Sequence, residues 1–398
     1  MENQWKSGII AALLALGAFF GSIHFFQGYL RSEAGLGGEL KSPPDSLYQY
    51  RLADEAPFRY RLLFPTIVKS SYKVISDGDN SRTFFVTFRF WSALFYVTSV
   101  VSLFILLRTL NFSAPFSLAG CVIFLCLPPM LMAFSLPVHT REDTLAYTIL
   151  FLALTFLARN QVLYFVFFSI IGALTRETLL ILPLLYFFFV PDKNLVRKLL
   201  VSGIPGIVWL ASRLIAGHHE YDVWLGMRWN LANPAQVVGF SFLTFGFCWL
   251  PFLYHVSTYR KQLASAPGEL RFYYRTSIFT LALIFLTTFL GGIFNEIRLL
   301  NLMFPWVIVI ALDFVRTHFS TIQTAVRKNS YLIFAIATAI IAVAGLVFVL
   351  PMVENAIEKG KWAVRYDNWI IVTVLHIFIL VLFLPPWYRV VAAKKLIK

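Results

Sequence analysis

Residues 162–190 read VLYFVFFSIIGALTRETLLILPLLYFFFV, an apolar run with Thr175-Arg176-Glu177-Thr178 near its centre. As one helix the run would be roughly 43 Å long, and each half is only about 18 Å, against a bilayer hydrocarbon core of about 30 Å. One crossing leaves too much chain and two full crossings need more. A single crossing would also put Arg260, Lys261, Arg271, Arg275 and the Lys394-Lys395 tail outside, against the Lys and Arg excess that cytoplasmic loops carry. The run is therefore expected to form two short helices that turn at 175–178. Helices that stop inside a bilayer must be shielded by protein or line a polar cavity, because open backbone groups find no partner in lipid.

The rest of the chain has the same character. Of 398 residues, 59% are hydrophobic, 17% aromatic and only 14% charged, and 41 are Phe. Apolar runs lie near 8–28, 86–107, 115–136, 144–158, 162–174, 179–190, 199–216, 236–255, 277–294, 299–314, 331–351 and 369–386. They predict an all-α polytopic membrane protein with about twelve transmembrane helices, short and broken ones included. The run after Lys6 continues to about Tyr29 without a small-residue cleavage site and reads as an uncleaved anchor. The whole chain, 1–398, reads as one transmembrane domain with a long first extracytoplasmic loop, about 30–85, that carries interfacial helices. The excess of 34 Lys and Arg over 20 Asp and Glu calls for no nucleic-acid partner, since it falls mainly in the segments this topology makes cytoplasmic. Cys121, Cys126 and Cys248 lie in apolar spans as small core residues, with no disulfide or metal framework.

Three polar islands put arginine beside carboxylate at or near membrane depth: His139-Thr140-Arg141-Glu142-Asp143, Thr175-Arg176-Glu177-Thr178 and Asn295-Glu296-Ile297-Arg298. An ionisable side chain there costs a few kcal/mol, roughly, so it is paired, faces a wet cavity or is functional. Glu142 and Asp143 suit a helix N-terminus, which favours acids, whereas Arg141 has no such reason to be there. Arg176-Glu177 and Glu296-Arg298 fit two readings, interhelical ion pairs that lock the bundle or parts of one charged site on one side of the membrane. His218, His219, Glu220 and Asp222 are spaced poorly for a metal and read as a solvated loop.

The first loop has its own order. After Pro43-Pro44, residues 45–53 are expected to form a short helix that Asp45 either caps or leaves for chemistry. Residues 60–75 have the apolar-plus-basic pattern of a helix lying in the interface. Arg59 and Arg61 bracket Tyr60, and arginine's rigid fork suits phosphate; headgroup contact or a bridge to Asp54 or Glu55 fits equally well.

Asp45-Ser46-Leu47-Tyr48, the segment Pro57-Phe58-Arg59-Tyr60-Arg61-Leu62-Leu63-Phe64-Pro65, Asp143 at the head of the fourth span, Arg176-Glu177-Thr178 between short helices and Glu296-Ile297-Arg298 before a late span together resemble bacterial integral-membrane glycosyltransferases of the GT-C class. The resemblance covers most of residues 1–310 through short motifs. It implies a catalytic acid in the first outer loop, which Asp45 matches best and Asp54 second, and a polyprenyl-phosphate sugar as donor. It also implies a glycan or glycolipid acceptor and a bacterial inner membrane with the active site facing outward. Under it, Asp45 would take the acceptor's proton, and Arg59, Arg61, Arg141, Arg176 or Arg298 would neutralise the departing phosphate. Asp143, Glu177 and Glu296 would orient those arginines. No cofactor is required, although Asp143 with Glu142 could hold a divalent metal. The chain departs from the family in having no adjacent acid pair straight after the first span, apart from Asp54-Glu55 farther on, and it reads as lacking the soluble C-terminal domain that some members have. The same charge pattern would also serve a lipid-linked glycan flippase or transporter, a polysaccharide polymerase, or a membrane subunit with bundle locks alone.

Overall fold

The computed structural model describes residues 2–32, 61–76, 81–131, 142–217, 224–292 and 299–320; Asp45, Asp54, Arg59, Arg141, Glu296, Arg298, the 218–222 cluster and the last two expected spans lie outside these. The described residues are mostly helical, with no strand among them. Among the described residues, four helical segments are long and apolar enough to cross a membrane, Val86–Thr109, Leu195–Ile215, Arg271–Gly291 and Leu300–Thr317. Shorter apolar helices fill much of the remainder. The chain has the make-up of a helical membrane protein, and it divides into two compact units.

The first unit holds α1 (Glu2–Ser32), α2 (Leu63–Ile75), α3 (Ser81–Thr109), nearly all of α4 (Ala114–Cys126), α6 (Glu142–Ala158), α7 (Val162–Thr175), α8 (Ile181–Phe189) and α9 (Leu195–Ala216), while the short α5 (Pro128–Leu131) is divided between the two units. Helix α6 is its centre, packed between α3 and α7, and nearly every side chain from Glu142 to Thr155 is buried. Helix α9 covers α7 and α8 and turns Leu199, Leu200, Ile207, Leu210, Leu214 and Ile215 outward. Such a row would be an aggregation hazard in water but is the ordinary face of a helix whose solvent is lipid.

Two expected spans are interrupted. The run expected at 115–136 stops its first helix at Cys126, because Pro128-Pro129 follow and a residue before proline is driven out of the helical region. In the second unit the run expected at 236–255 is split into α11 (Pro234–Phe245) and α12 (Trp249–Ser257) by the turn Gly246–Cys248. Gly246 has φ +50°, a conformation an L side chain resists.

The second unit also holds α10 (Leu225–Ala232), α13 (Tyr259–Ser265), α14 (Arg271–Gly291) and α15 (Phe304–Thr317), the last preceded by the 3-10 turn Leu300–Met303. Helix α15 is the core, buried from Phe304 to Phe314. Asn230 on α10 donates its side-chain amide to the Phe289 and Gly292 carbonyls, both at 2.9 Å, and so satisfies acceptors that the end of α14 would otherwise leave open.

Residues 190–197 show how a short connection is fixed. Asn194 caps α9 by accepting from the Arg197 backbone N–H at 3.0 Å, and Asp192 accepts from the Asn194 N–H at 2.9 Å and from the Tyr186 hydroxyl at 3.1 Å. The Asn194 N–H holds the Asp192 carboxyl below the usual carboxylate range; partial desolvation opposes this, and Tyr186 and Arg197 add to it. A depressed carboxylate contributes stability above its unfolded-state value of 3.8, and that contribution fades as pH falls through the depressed folded value. The melting temperatures of the parent and Asp192→Asn are expected to differ by a constant amount above about pH 5 and to converge in more acid buffer. A gap that widened on acidification would reject this role for Asp192.

Candidate functional site

Helix α6 begins with Glu142 and Asp143, both of them less than a tenth exposed. Its N-terminus favours the two acids electrostatically, but burial this deep also demands cations nearby. Two arginines supply them, from separate parts of the unit.

The first is Arg61, just ahead of α2. Its Nη1 donates to Glu142 Oε1 at 2.6 Å and its Nη2 to Glu177 Oε1 at 2.9 Å, while Nε lies 3.5 Å from Glu177 Oε2. Each edge of the guanidinium thus meets a carboxylate. The side chain is 5% exposed, Glu142 is 8% exposed and Glu177 is 27% exposed, so Glu177 is the member of the group that meets solvent. Helix α2 itself is amphipathic, with Phe64, Val68 and Tyr72 buried and Lys69, Lys73, Val74 and Ile75 exposed, which is the surface helix the sequence leads one to expect.

The second is Arg176, whose guanidinium pairs with Asp143 at the deepest point of the group. Arg176 lies between α7 and the 3-10 turn Glu177–Leu180 with an extended backbone, φ −153° and ψ 135°, and its N–H closes α7 by donating to the Gly172 carbonyl at 2.8 Å. In an extended segment successive side chains point opposite ways. Arg176 therefore reaches Asp143 while Glu177, the next residue, reaches Arg61. Gly172 makes the close return possible, since a Cβ there would come within 3.2 Å of Leu179. The helix break expected at 175–178 is present, but the local partnership of Arg176 with Glu177 is replaced by two long-range pairs.

Of the residues singled out in the sequence, the structure brings Arg61, Glu142, Asp143, Arg176 and Glu177 into one group. The geometry favours the bundle-lock reading for Arg61, whose donors carboxylates already occupy, and for Arg176, which is sealed from solvent. Any metal in this region would draw on Glu142, Asp143 and Glu177, and no group of three or more His, Cys, Asp or Glu that could hold a metal occurs among the described residues. The three cysteines are free thiols, with Cys121 and Cys248 buried.

A second polar cluster, in the other unit, was not foreseen from the sequence. Tyr274 donates to Asp313 Oδ2 at 2.6 Å, and Arg316 donates to Asp313 Oδ1 at 2.5 Å. His255, fully buried on α12, shares a 2.7 Å hydrogen bond with Ser277 and stacks edge-on to Tyr274. A legible signal existed: Tyr273, Thr276, Ser277, Thr280 and Thr288 fall at helical spacing on a single face of an otherwise oily span.

No protein-family model matches this chain, and neither a curated protein nor a solved structure matches it.

Proposed function

We propose that the chain is a membrane glycosyltransferase, similar in kind to the GT-C class, that moves a sugar from a polyprenyl-phosphate donor to a glycan or glycolipid acceptor. In this reading it crosses a bacterial inner membrane about twelve times with both ends inside and works at the outer face. The observation that supports it most is the network of Arg61, Glu142, Asp143, Arg176 and Glu177, which ties the residue next to the first loop to the head of α6 and to the break after α7. A loop that carries a catalytic carboxylate needs such an anchor, since misplacement by an ångström costs orders of magnitude in rate.

The acceptor hydroxyl attacks the anomeric carbon and gives its proton to Asp45, with Asp54 the alternative base, as the bond from that carbon to the phosphate oxygen breaks. Charge grows on the departing phosphate, and Arg59, Arg141 and Arg298 are the arginines assigned to neutralise it. Arg61 and Arg176 hold the scaffold instead, with Glu142, Asp143 and Glu177 as their partners, and Glu296 orients Arg298.

One observation favours a different class. A guanidinium engaged by carboxylates on both edges, as Arg61 is, resembles the gate of a lipid-linked glycan flippase as much as a phosphate clamp. The deciding experiment is label transfer from a set of polyprenyl-phosphate sugars by the purified protein in lipid, with Asp45→Asn and Arg298→Ala alongside. Transfer by the parent that is lost in both variants is expected. A folded Asp45→Asn protein with full activity would remove the base assignment, and a folded parent inert toward every donor would move the reading to transport.

A further inference from the structure

The buried face of α14 is polar where a membrane helix packed on a neighbour is ordinarily apolar or small. Tyr273, Thr276, Ser277, Thr280 and Thr288 are all at most 4% exposed. Helix α14 packs along α15 and along the 3-10 turn before it, where Asn301 is fully buried. Thr276 accepts from Trp306 Nε1 at 2.8 Å, and the Tyr273 and Trp306 rings lie 6.2 Å apart, so this face of α14 meets α15 directly.

Several polar atoms in this region are sealed without a hydrogen bond: the Tyr273 hydroxyl, the Thr280 hydroxyl and both the oxygen and the nitrogen of the Asn301 amide. Each such atom has given up its bonds to water with nothing in return, and in a membrane no lipid group can relieve it. Four of them on one pair of packed elements make the closed seam costly, and parting the elements would let water or a guest satisfy all four. Neither 276–291 nor 300–312 contains an Asp, Glu, Lys or Arg. Asp313 is held at the far end by Tyr274 and Arg316. A charged guest would therefore enter unpaired, at a cost an uncharged one avoids. The available chemistry is hydroxyls, one amide that both donates and accepts, and aromatic faces.

We infer that the seam between α14 and the Leu300–Met303 turn with α15 is the closed form of a crevice that opens to take an uncharged, hydroxyl-rich group, of which a sugar ring is the obvious class. The identity of that sugar as part of a transferase substrate rests on the proposed function; the opening and its selectivity for neutral hydroxyl groups do not.

The test uses the full-length protein in liposomes with Cys121, Cys126 and Cys248 replaced by alanine. Thr280→Cys is compared with Ile308→Cys, a fully buried apolar position on α15. A small water-soluble maleimide is expected to label Thr280→Cys at least ~10-fold faster than Ile308→Cys, because local opening exposes the first to water. Methyl hexopyranosides are then added, and inorganic phosphate separately. Slower labelling of Thr280→Cys with at least one hexoside, and none with phosphate, is the expected result. Equal inertness of the two cysteines overturns the opening. Protection by phosphate, or by no hexoside, overturns the ligand class. Labelling needs no turnover, so hexoside protection in a protein that transfers no sugar would reject the transferase and keep the crevice. Transfer by a protein inert at Thr280→Cys would do the reverse.

Discussion

Arg61→Met is expected to destabilise the protein by about 3–5 kcal/mol, the range found when one member of a buried ion pair is removed. The side chain serves Glu142 and Glu177 together, and methionine fills much of the same volume while withdrawing every donor. The loss should appear as a lower midpoint of thermal unfolding in lipid, accompanied by faster proteolysis between α2 and α3. Arg61→Met combined with Glu142→Gln and Glu177→Gln should recover much of the loss, since buried carboxylates made neutral no longer require a cation. Arg61→Lys should fall between, because an ammonium cannot present two edges to two carboxylates. An Arg61→Met protein within about 0.5 kcal/mol of the parent would mean that the network is decoration.

Gly226→Val is expected to be the most damaging single change in the second unit. A Cβ at position 226 would sit 2.5 Å from the Gly292 carbonyl oxygen and 2.8 Å from its nitrogen. Both are backbone atoms, so no rotamer change relieves the clash. Helix α10 would have to lift away from the end of α14 and take with it the two hydrogen bonds of Asn230. Overpacking together with the loss of those bonds sets the expected cost at about 3 kcal/mol or more. Gly203→Ala on α9 is the control: nothing lies within 4 Å of its Cβ, and helix propensity favours alanine by roughly 0.5–1 kcal/mol. Unfolding midpoints lowered for the first and unchanged or raised for the second would verify the close approach; equal behaviour would refute it.

Hydrophobic periodicity and length were enough to anticipate an all-helical membrane protein, the amphipathic segment before α3 and the break at Arg176, because each follows from local chemistry. Local chemistry could not supply partners. Arg176 and Glu177 look like a pair in the sequence and are adjacent in the chain, yet an extended backbone between them sends each to a different element. Nor did the apolar count reveal the interruptions at Pro128-Pro129 and Gly246, since hydropathy averages over a single residue that cannot continue a helix. The polar face of α14 was visible as spacing but drew no attention, because threonine and tyrosine pass for ordinary membrane residues until their hydroxyls are found without acceptors or donors. Asp45, Asp54, Arg59, Arg141, Glu296 and Arg298 remain assignments made on motif and chemistry.

The partners of Arg61 lie far ahead of it in the chain. Glu142 comes 81 residues later and Glu177 comes 116 residues later. When Arg61 leaves the ribosome neither carboxylate has been made, and a lone guanidinium will not enter hydrocarbon. Docking of α2 must therefore wait through the synthesis of four further apolar stretches, α3, α4, α6 and α7, until the turn that bears Glu177 has been made. One of the earliest segments of this unit thus docks only after most of its neighbours have been made, and a chain truncated before residue 177 should leave α2 open to aqueous reagents.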